Sequence, residues 1–356
     1  MLEVVVIGAG IAGFTVALAL RQRDAAVTLV EAIRPGAEAT GASAGMLAAQ
    51  YESPGADAKF RLCLESRTRY PEYAAKLEKL SGRALHVRQD GMLVANLDDA
   101  EHAAAQETVR WQRDEGLNAE VVDPAAARKL QPGVNRDTVS YLWLPDERQL
   151  DSQALAEALV DALARTDVRL ISGNGAAEIL HSAGAVTGLR MADGRSLEAD
   201  AVVLAAGAWS STMNGLPREL PVRPMRGQML RLPLEGLRLR AIVSSHAGRY
   251  LVPRDDGTVL AGSTMEDVGF DRSITDAGEQ LIRESIVRLV PELGDRRPLE
   301  HWSGLRPISA DSAPIIGPDP ELQGLFYATG YGRDGILVAP LAGDAVADLV
   351  VFGEAR

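Results

Sequence analysis

Residues 4–31 read VVVIGAGIAGFTVALALRQRDAAVTLVE, and no other stretch constrains the fold as much. Residues 4–7 are a β-branched run, the mark of a buried strand. Gly8, Gly10 and Gly13 follow in G-x-G-x-x-G spacing, and a helical pattern then runs through Ala17 and Leu20. Residues 27–30 read as a second strand, which ends on Glu31. Each part has its task in a dinucleotide-binding unit. Gly8 makes the tight turn, Gly10 lets a pyrophosphate come close to the backbone, and Gly13 lets helix and strand touch. Ile11 and Ala12 open the helix, whose free N–H groups and positive dipole end suit phosphate. Glu31 can accept hydrogen bonds from ribose hydroxyls, which favours NAD or FAD over NADP. The fingerprint alone is weak evidence. It gains weight here because strand, helix, second strand and acid all fall in place.

The same stretch has a second reading. Residues 4–20 are uncharged and mostly apolar, as in a signal peptide or membrane anchor. Glu3 stands in front, where a signal peptide carries basic residues, and the three glycines favour a buried strand and helix. No other uncharged stretch is long enough to span a membrane, so no membrane span is expected. A chain of 356 residues suggests about two domains. The net charge of −12 argues against a nucleic-acid surface. The lone Cys63 excludes an intramolecular disulfide and a cysteine-rich metal site, and fits a cytoplasmic location. The five histidines, His86, His102, His181, His246 and His301, lie in no metal-like spacing, so no metal is expected.

Further along, ATGASAGMLAAQ at residues 39–50 is a run of small side chains. It reads as an ordered loop that lets backbone approach something flat, with Ala42, Ser43, Ala44, Gly45 and Met46 as candidate contacts. ADAVVLAAGAWSS at residues 199–211 reads as a buried strand ending in a glycine turn, which places Ala206, Gly207 and Trp209 at its end. GNGAAE at residues 173–178 comes close to a second fingerprint, but Glu178 stands where the third glycine belongs. Ala176 in that segment is a further candidate cofactor contact. Helical patterns cover residues 60–80, 100–115 and 152–164; strand-like runs cover 85–94, 228–232 and 259–263. Near the C-terminus, ATGYGRDGILVAP at residues 328–340 reads as strand end, glycine turn and helix start. Arg333 opposes the helix dipole there, so it needs an anionic neighbour.

Taken together, the fingerprint, ATGASAGML, PMRGQ at 224–228, YLVP at 250–253, WSGLRP at 302–307 and GYGRDGILVAP resemble the D-amino acid oxidase superfamily of flavoproteins, and within it the glycine-oxidising branch tied to thiazole formation in thiamine biosynthesis. The resemblance spans nearly the whole chain. It implies an α/β fold with a discontinuous Rossmann-type FAD-binding domain at residues 1–84, 151–215 and 304–356. A substrate domain built on a mostly antiparallel sheet with helices would take residues 85–150 and 216–303. It also implies non-covalent FAD and a homo-oligomer. Relatives with covalent flavin use a C-terminal cysteine or an N-terminal histidine. Here the only cysteine is Cys63 and the first histidine is His86, so the flavin is expected to be released intact on denaturation.

Oxidising an α-amino acid requires a handle for the substrate carboxylate. Arginine suits this because its planar fork makes two parallel hydrogen bonds. Arg306 in WSGLRP is the first candidate, and the resemblance implies the same role; the alternative is a structural ion pair. Tyr250 is the candidate for the other carboxylate oxygen, against a plain core tyrosine. Met265 and Gly248 match pocket positions of the family. The resemblance places Arg333 beside flavin and substrate at the site entrance, where it faces an anionic ligand, the flavin edge or a surface acid. The turn with Asp334, Gly335, Ile336 and Leu337 is expected to offer backbone N–H groups to the flavin. No side-chain base is evident, which suits hydride transfer from an amine that has already lost its proton.

The chain departs from the family pattern G-H-x-R-N-G at Tyr331, Gly332 and Asp334, and Gly248 stands where some members carry histidine. Smaller residues near the entrance favour a wider range of amines. The expected activity is oxidative deamination of glycine, sarcosine and small D-amino acids, with O2 reduced to H2O2. Alternatives are a dehydrogenase of the same fold feeding a quinone or carrier, a non-catalytic flavoprotein subunit and, more remotely, an NAD-only dehydrogenase.

Overall fold

The computed structural model describes residues 1–355. Its first layer is a six-stranded sheet drawn from three distant parts of the chain. Across the sheet the order is Ile315–Pro318, Leu325–Thr329, Ala201–Leu204, Glu3–Ile7, Ala26–Glu31 and Arg169–Ser172. All neighbours pair in parallel except the first two. The central strands are continuous apolar runs because both of their faces are covered. On one face lie the helices Ile11–Arg21, Ala58–Ser81 and Gly335–Phe352, with a core through Val4, Phe14, Leu20, Leu29 and Val338. On the other lies a three-stranded meander, Ala176–Ser182, Ala185–Met191 and Ser196–Glu198, packed through Val5, Ile179, Leu189 and Val202. Fully burying each of the larger of these side chains contributes about 1.5–3 kcal/mol.

Local signals set the helix ends. Asp57 accepts the Phe60 N–H at 2.7 Å to start the 24-residue helix Ala58–Ser81, and Gly82, at φ 75°, ends it in the left-handed region. The C-terminal helix Gly335–Phe352 is long and apolar enough to cross a membrane by composition. Asp344 and Asp348 interrupt its apolar run, so it is not an uncharged stretch. In the fold it packs against the first helix and the helix Ala58–Ser81, and Asp348 pairs with Arg23 at 2.7 Å.

The second layer is an eight-stranded sheet in the order Glu300–Ser309, Val222–Pro233, Thr258–Gly262, Tyr250–Pro253, Ile242–Ser245, Met92–Asn96, Ser140–Leu144 and Glu120–Val122. It is antiparallel except where Ile242–Ser245 meets Met92–Asn96. The strand expected at 85–94 is shorter, Met92–Asn96. The helix Asp276–Leu289 covers one face, with Leu230, Val259, Ile282 and Ile286 in the core between. This architecture is a Rossmann-type dinucleotide unit joined to a mostly antiparallel sheet. The small-residue run is not a single loop: it forms a helical turn, Ala39–Ala42, and a short strand, Met46–Leu47, paired with Arg148–Gln149.

Candidate functional site

A cavity of about 620 Å³ opens where the two sheets meet. Its floor is the fingerprint. Gly8 has φ +98°, and a Cβ there would stand 2.5 Å from the Ala205 carbonyl oxygen, so only glycine fits the turn. A Cβ on Gly13 would run into the Gly8 carbonyl, so this glycine serves helix-to-turn contact and does not line the cavity. Gly10 differs: a Cβ would meet only Thr40 Oγ1, at 3.4 Å, which leaves the space above its backbone open. The helix start is less free than its sequence suggests. Ile11 N–H donates to Thr40 Oγ1 at 2.9 Å, while the Ala12 and Gly13 N–H groups have no protein acceptor among the described residues. Glu31 lines the cavity and accepts from Ala9 N–H and Ile33 N–H, both at 2.9 Å, which fixes the carboxylate at the end of its strand.

The small-residue run forms a second wall, with a regular division of its backbone groups. Its carbonyls are held from outside: Ala42 by Trp302 Nε1 at 3.1 Å, Ser43 by Ser152 Oγ at 2.6 Å, Ala44 by Arg254 at 2.7 Å and Gly45 by Leu150 N–H at 2.9 Å. The N–H groups of Ala44 and Gly45 donate to no protein acceptor among the described residues. Arg254 is buried, and burial lowers its guanidinium to about 10. Met46, Ala176, Ala206, Gly207 and Trp209 also line the cavity, and Trp209 packs on Phe270 at 5.6 Å.

The three candidate substrate residues, Arg306, Tyr250 and Arg333, also line the cavity. Arg306 has no carboxylate within ion-pair distance among the described residues, which removes the structural ion-pair alternative. Its guanidinium is braced by Ser263 Oγ at 2.5 Å and the Thr264 carbonyl at 3.3 Å. A Cβ on Gly227 would coincide with that guanidinium, so glycine in the neighbouring strand clears its place. The bracing loop is itself pinned: Arg226, with its side chain 5% exposed, pairs with Glu266 at 2.6 Å and Asp271 at 2.5 Å. Tyr250 is buried and its hydroxyl donates to Met229 Sδ at 3.4 Å, a weak acceptor.

Arg333 faces Glu52. Nε and Nη2 donate to the two carboxylate oxygens at 2.7 and 2.8 Å. Burial opposes the charged guanidinium, but Glu52 outweighs it and holds Arg333 above the usual arginine range. Glu52 is not a loose surface acid; it lines the cavity with its side chain 12% exposed. The chain before it is clamped by buried Glu147, which accepts from Gln50 N–H at 2.7 Å and Tyr51 N–H at 2.9 Å and pairs with Arg67 at 2.7 Å. Beside this pair, Asp334 is buried and pairs with Lys59 at 2.7 Å; burial and then Glu52 push its carboxyl up to about 6.

Not every candidate lies on the cavity. Asp334 and Leu337 are off the lining, although the N–H groups of Gly335, Ile336 and Leu337 have no acceptor among the described residues. Gly335 and Ile336 do line it. Met265 is 44% exposed and off the lining, with its Sδ 3.8 Å from Arg306 Nη1. Gly248 is also off the lining: a Cβ there would come 3.4 Å from Arg333 Nη1, so it covers the arginine from outside.

A family model described as FAD dependent oxidoreductase matches residues 3–349. The chain belongs to this FAD-dependent oxidoreductase family. It is 33% identical to the glycine oxidase of Pseudomonas aeruginosa over 98% of this chain and 94% of that protein. It is 36% identical to the bifunctional protein ThiO/ThiG of Trichormus variabilis over 98% of its own length, and it spans about half the length of that relative, 52%. Among solved structures, the glycine oxidase of Geobacillus kaustophilus superposes with a TM-score of 0.94 at 28% identity, over 98% of this chain and 95% of that one.

The residues present fit the FAD that the family carries. The turn at Gly8 and Gly10, the N–H groups at 12–13, 44–45 and 335–336, which have no acceptor among the described residues, and Glu31 would supply a pyrophosphate cradle, amide donors and a ribose acceptor along one cavity. Tyr331 also lines it, and its hydroxyl is buried without a partner. Sequence reasoning missed Thr40, Glu52, Gly227, Ser263 and Arg254. Thr40, inside the quoted ATGASAGML, and Gly227, inside the quoted PMRGQ, lay in motifs already singled out. The others are ordinary residue types whose role depends on what folds against them.

Proposed function

We propose that this oxidoreductase deaminates glycine and other small amino acids, sarcosine and small D-amino acids included, to a 2-oxo acid and ammonia or amine, with O2 reduced to H2O2. The observation that carries the reading is Arg306, a cavity-lining guanidinium braced by neutral oxygens and paired with no carboxylate among the described residues. A substrate carboxylate supplies the missing partner through two parallel hydrogen bonds. Tyr250 has only a thioether to donate to and would turn to the carboxylate, a stronger acceptor. Arg306 and Tyr250 thereby hold the substrate in one orientation, which alone can remove a large part of a barrier.

FAD, when bound, supplies the two-electron acceptor for the Cα hydrogen. The neutral amine loses that hydride and one N–H proton and becomes an imine. Water adds to the imine carbon, the C–N bond breaks, and ammonia or an amine leaves. The two electrons, with two protons, reduce O2 to H2O2. The flavin is held without a covalent link, and Cys63 is buried with its thiol pushed up by burial, which suits it poorly for attachment.

The test is to mix the yellow protein anaerobically with glycine, sarcosine, D-alanine and D-proline separately and follow the visible flavin absorption. Bleaching by one or more is the expected result, with colour and peroxide returning on admission of air. No bleaching by any of the four overturns the reading. Bleaching without rapid return in air favours a dehydrogenase.

A further inference from the structure

Three arginines line the cavity, and they are not equivalent. Arg272 is paired with Glu38 at 2.6 Å, and Arg333 is gripped by both oxygens of Glu52. Both acids line the cavity too. Of the three, Arg306 alone has no carboxylate partner among the described residues. Arg249, a further guanidinium of this region, lies off the lining and donates to the Ala247 carbonyl at 3.1 Å. The cavity therefore offers one open cationic anchor, although its bare arginine count would suit a ligand with several negative charges.

We propose that Glu52 is a specificity-determining residue: by occupying Arg333 it leaves a single carboxylate anchor at Arg306 and restricts the site to ligands with one carboxylate. This rests on the amino-acid reading above. A second carboxylate entering near Arg333 meets a guanidinium whose Nε and Nη2 are already taken, and meets the Glu52 charge as well. Like charges brought together in a poorly solvated site repel strongly. The acid cannot swing away freely, because the two residues before it are clamped through their N–H groups by buried Glu147.

The proposal is tested on the FAD-loaded protein with two ligands that cannot be oxidised, acetate and malonate, by titrating each against the flavin's visible spectrum. In Glu52→Gln the ratio of malonate affinity to acetate affinity should rise at least about tenfold, the factor carried by one freed charge-assisted hydrogen bond. In the double variant Glu52→Gln/Arg333→Gln the rise should disappear. An unchanged ratio in Glu52→Gln overturns the proposal, and so does a rise that survives removal of Arg333. Should Gln at position 52 prevent flavin retention, Glu52→Ala decides instead. It also removes the charge and frees both nitrogens, so the ratio should rise about tenfold or more; no rise overturns the proposal.

Failure of this inference and failure of the amino-acid reading look different. If the four amino acids bleach the flavin and the ratio stays fixed, only the role of Glu52 falls. If none bleaches it and the ratio moves, Glu52 still selects anions, but the substrate class is wrong. If acetate does not bind the wild-type protein at all, the Arg306 anchor is wrong and both fall.

Discussion

Replacing Arg306 by alanine tests the site where its chemistry is most exposed. The guanidinium is held by Ser263 Oγ at 2.5 Å and the Thr264 carbonyl at 3.3 Å, both neutral, so its charge is available to a ligand. A bound carboxylate gains two charge-assisted hydrogen bonds at about 1.5–3 kcal/mol each. Losing both removes about 3–6 kcal/mol, or about 10²–10⁴-fold in kcat/KM. Arg306→Lys keeps the charge but loses the fork, so it should lie between alanine and wild type. Gly227→Ala should act like Arg306→Ala without touching the arginine, since its Cβ takes the guanidinium's place. The assay is the anaerobic rate of flavin reduction against substrate concentration, using whichever amino acid reduces the wild-type protein. FAD content, measured alongside, should stay high, because Arg306 is held by Ser263 and Thr264 and bonds to no fingerprint residue. If Arg306→Ala keeps kcat/KM within about threefold of wild type, less than one such bond accounts for, the carboxylate assignment is refuted.

Other consequences are equally specific. Gly10→Val should fold but retain no FAD, since a side chain there meets only Thr40 within the protein and fills the pyrophosphate approach; a fully yellow variant would contradict this. Arg226→Ala should cost about 1–3 kcal/mol of stability, less than a fully buried pair because Glu266 and Asp271 are partly exposed, and should raise KM by loosening the loop that braces Arg306; urea unfolding and substrate saturation measure the two effects. Asp334 titrates at about 6 in the folded protein and near 4 unfolded, so between those values the folded state holds the extra proton. Its contribution to stability is present below about pH 4 and is lost as pH rises through about 6, so Asp334→Asn should gain on the wild type in melting temperature over that window. Parallel pH profiles for the two proteins would remove Asp334 as the cause.

The dinucleotide unit was legible because its rules are local. A β-branched strand, three glycines at fixed offsets, a helix and a terminal acid impose the turn at Gly8 and the contact at Gly13 whatever the rest of the chain does. Helix limits were also close: 60–80 was expected and Ala58–Ser81 is observed, because an Asp N-cap and a Gly C-cap act within one turn. Arg306 and Tyr250 stood out through the motifs around them, and both line the cavity.

Partnerships between distant residues were not legible. What Arg333 faces depends on Glu52, 281 positions away, which a buried Glu147 holds in place from a third segment. The freedom of Arg306 is likewise a fact about neighbours, since nothing in WSGLRP tells whether an acid folds against it. The small-residue run reads as an ordered loop, but only the fold shows that Trp302, Ser152, Arg254 and Leu150 hold its carbonyls and leave two of its N–H groups without an acceptor among the described residues. Sequence alone determined the backbone of the fingerprint, the ends of the helix Ala58–Ser81 and the supply of charges, because these follow from bonded geometry and residue type. Tertiary structure decided which charges are cancelled and which remain open, because an ion pair forms only where packing brings both partners within reach and shuts out water.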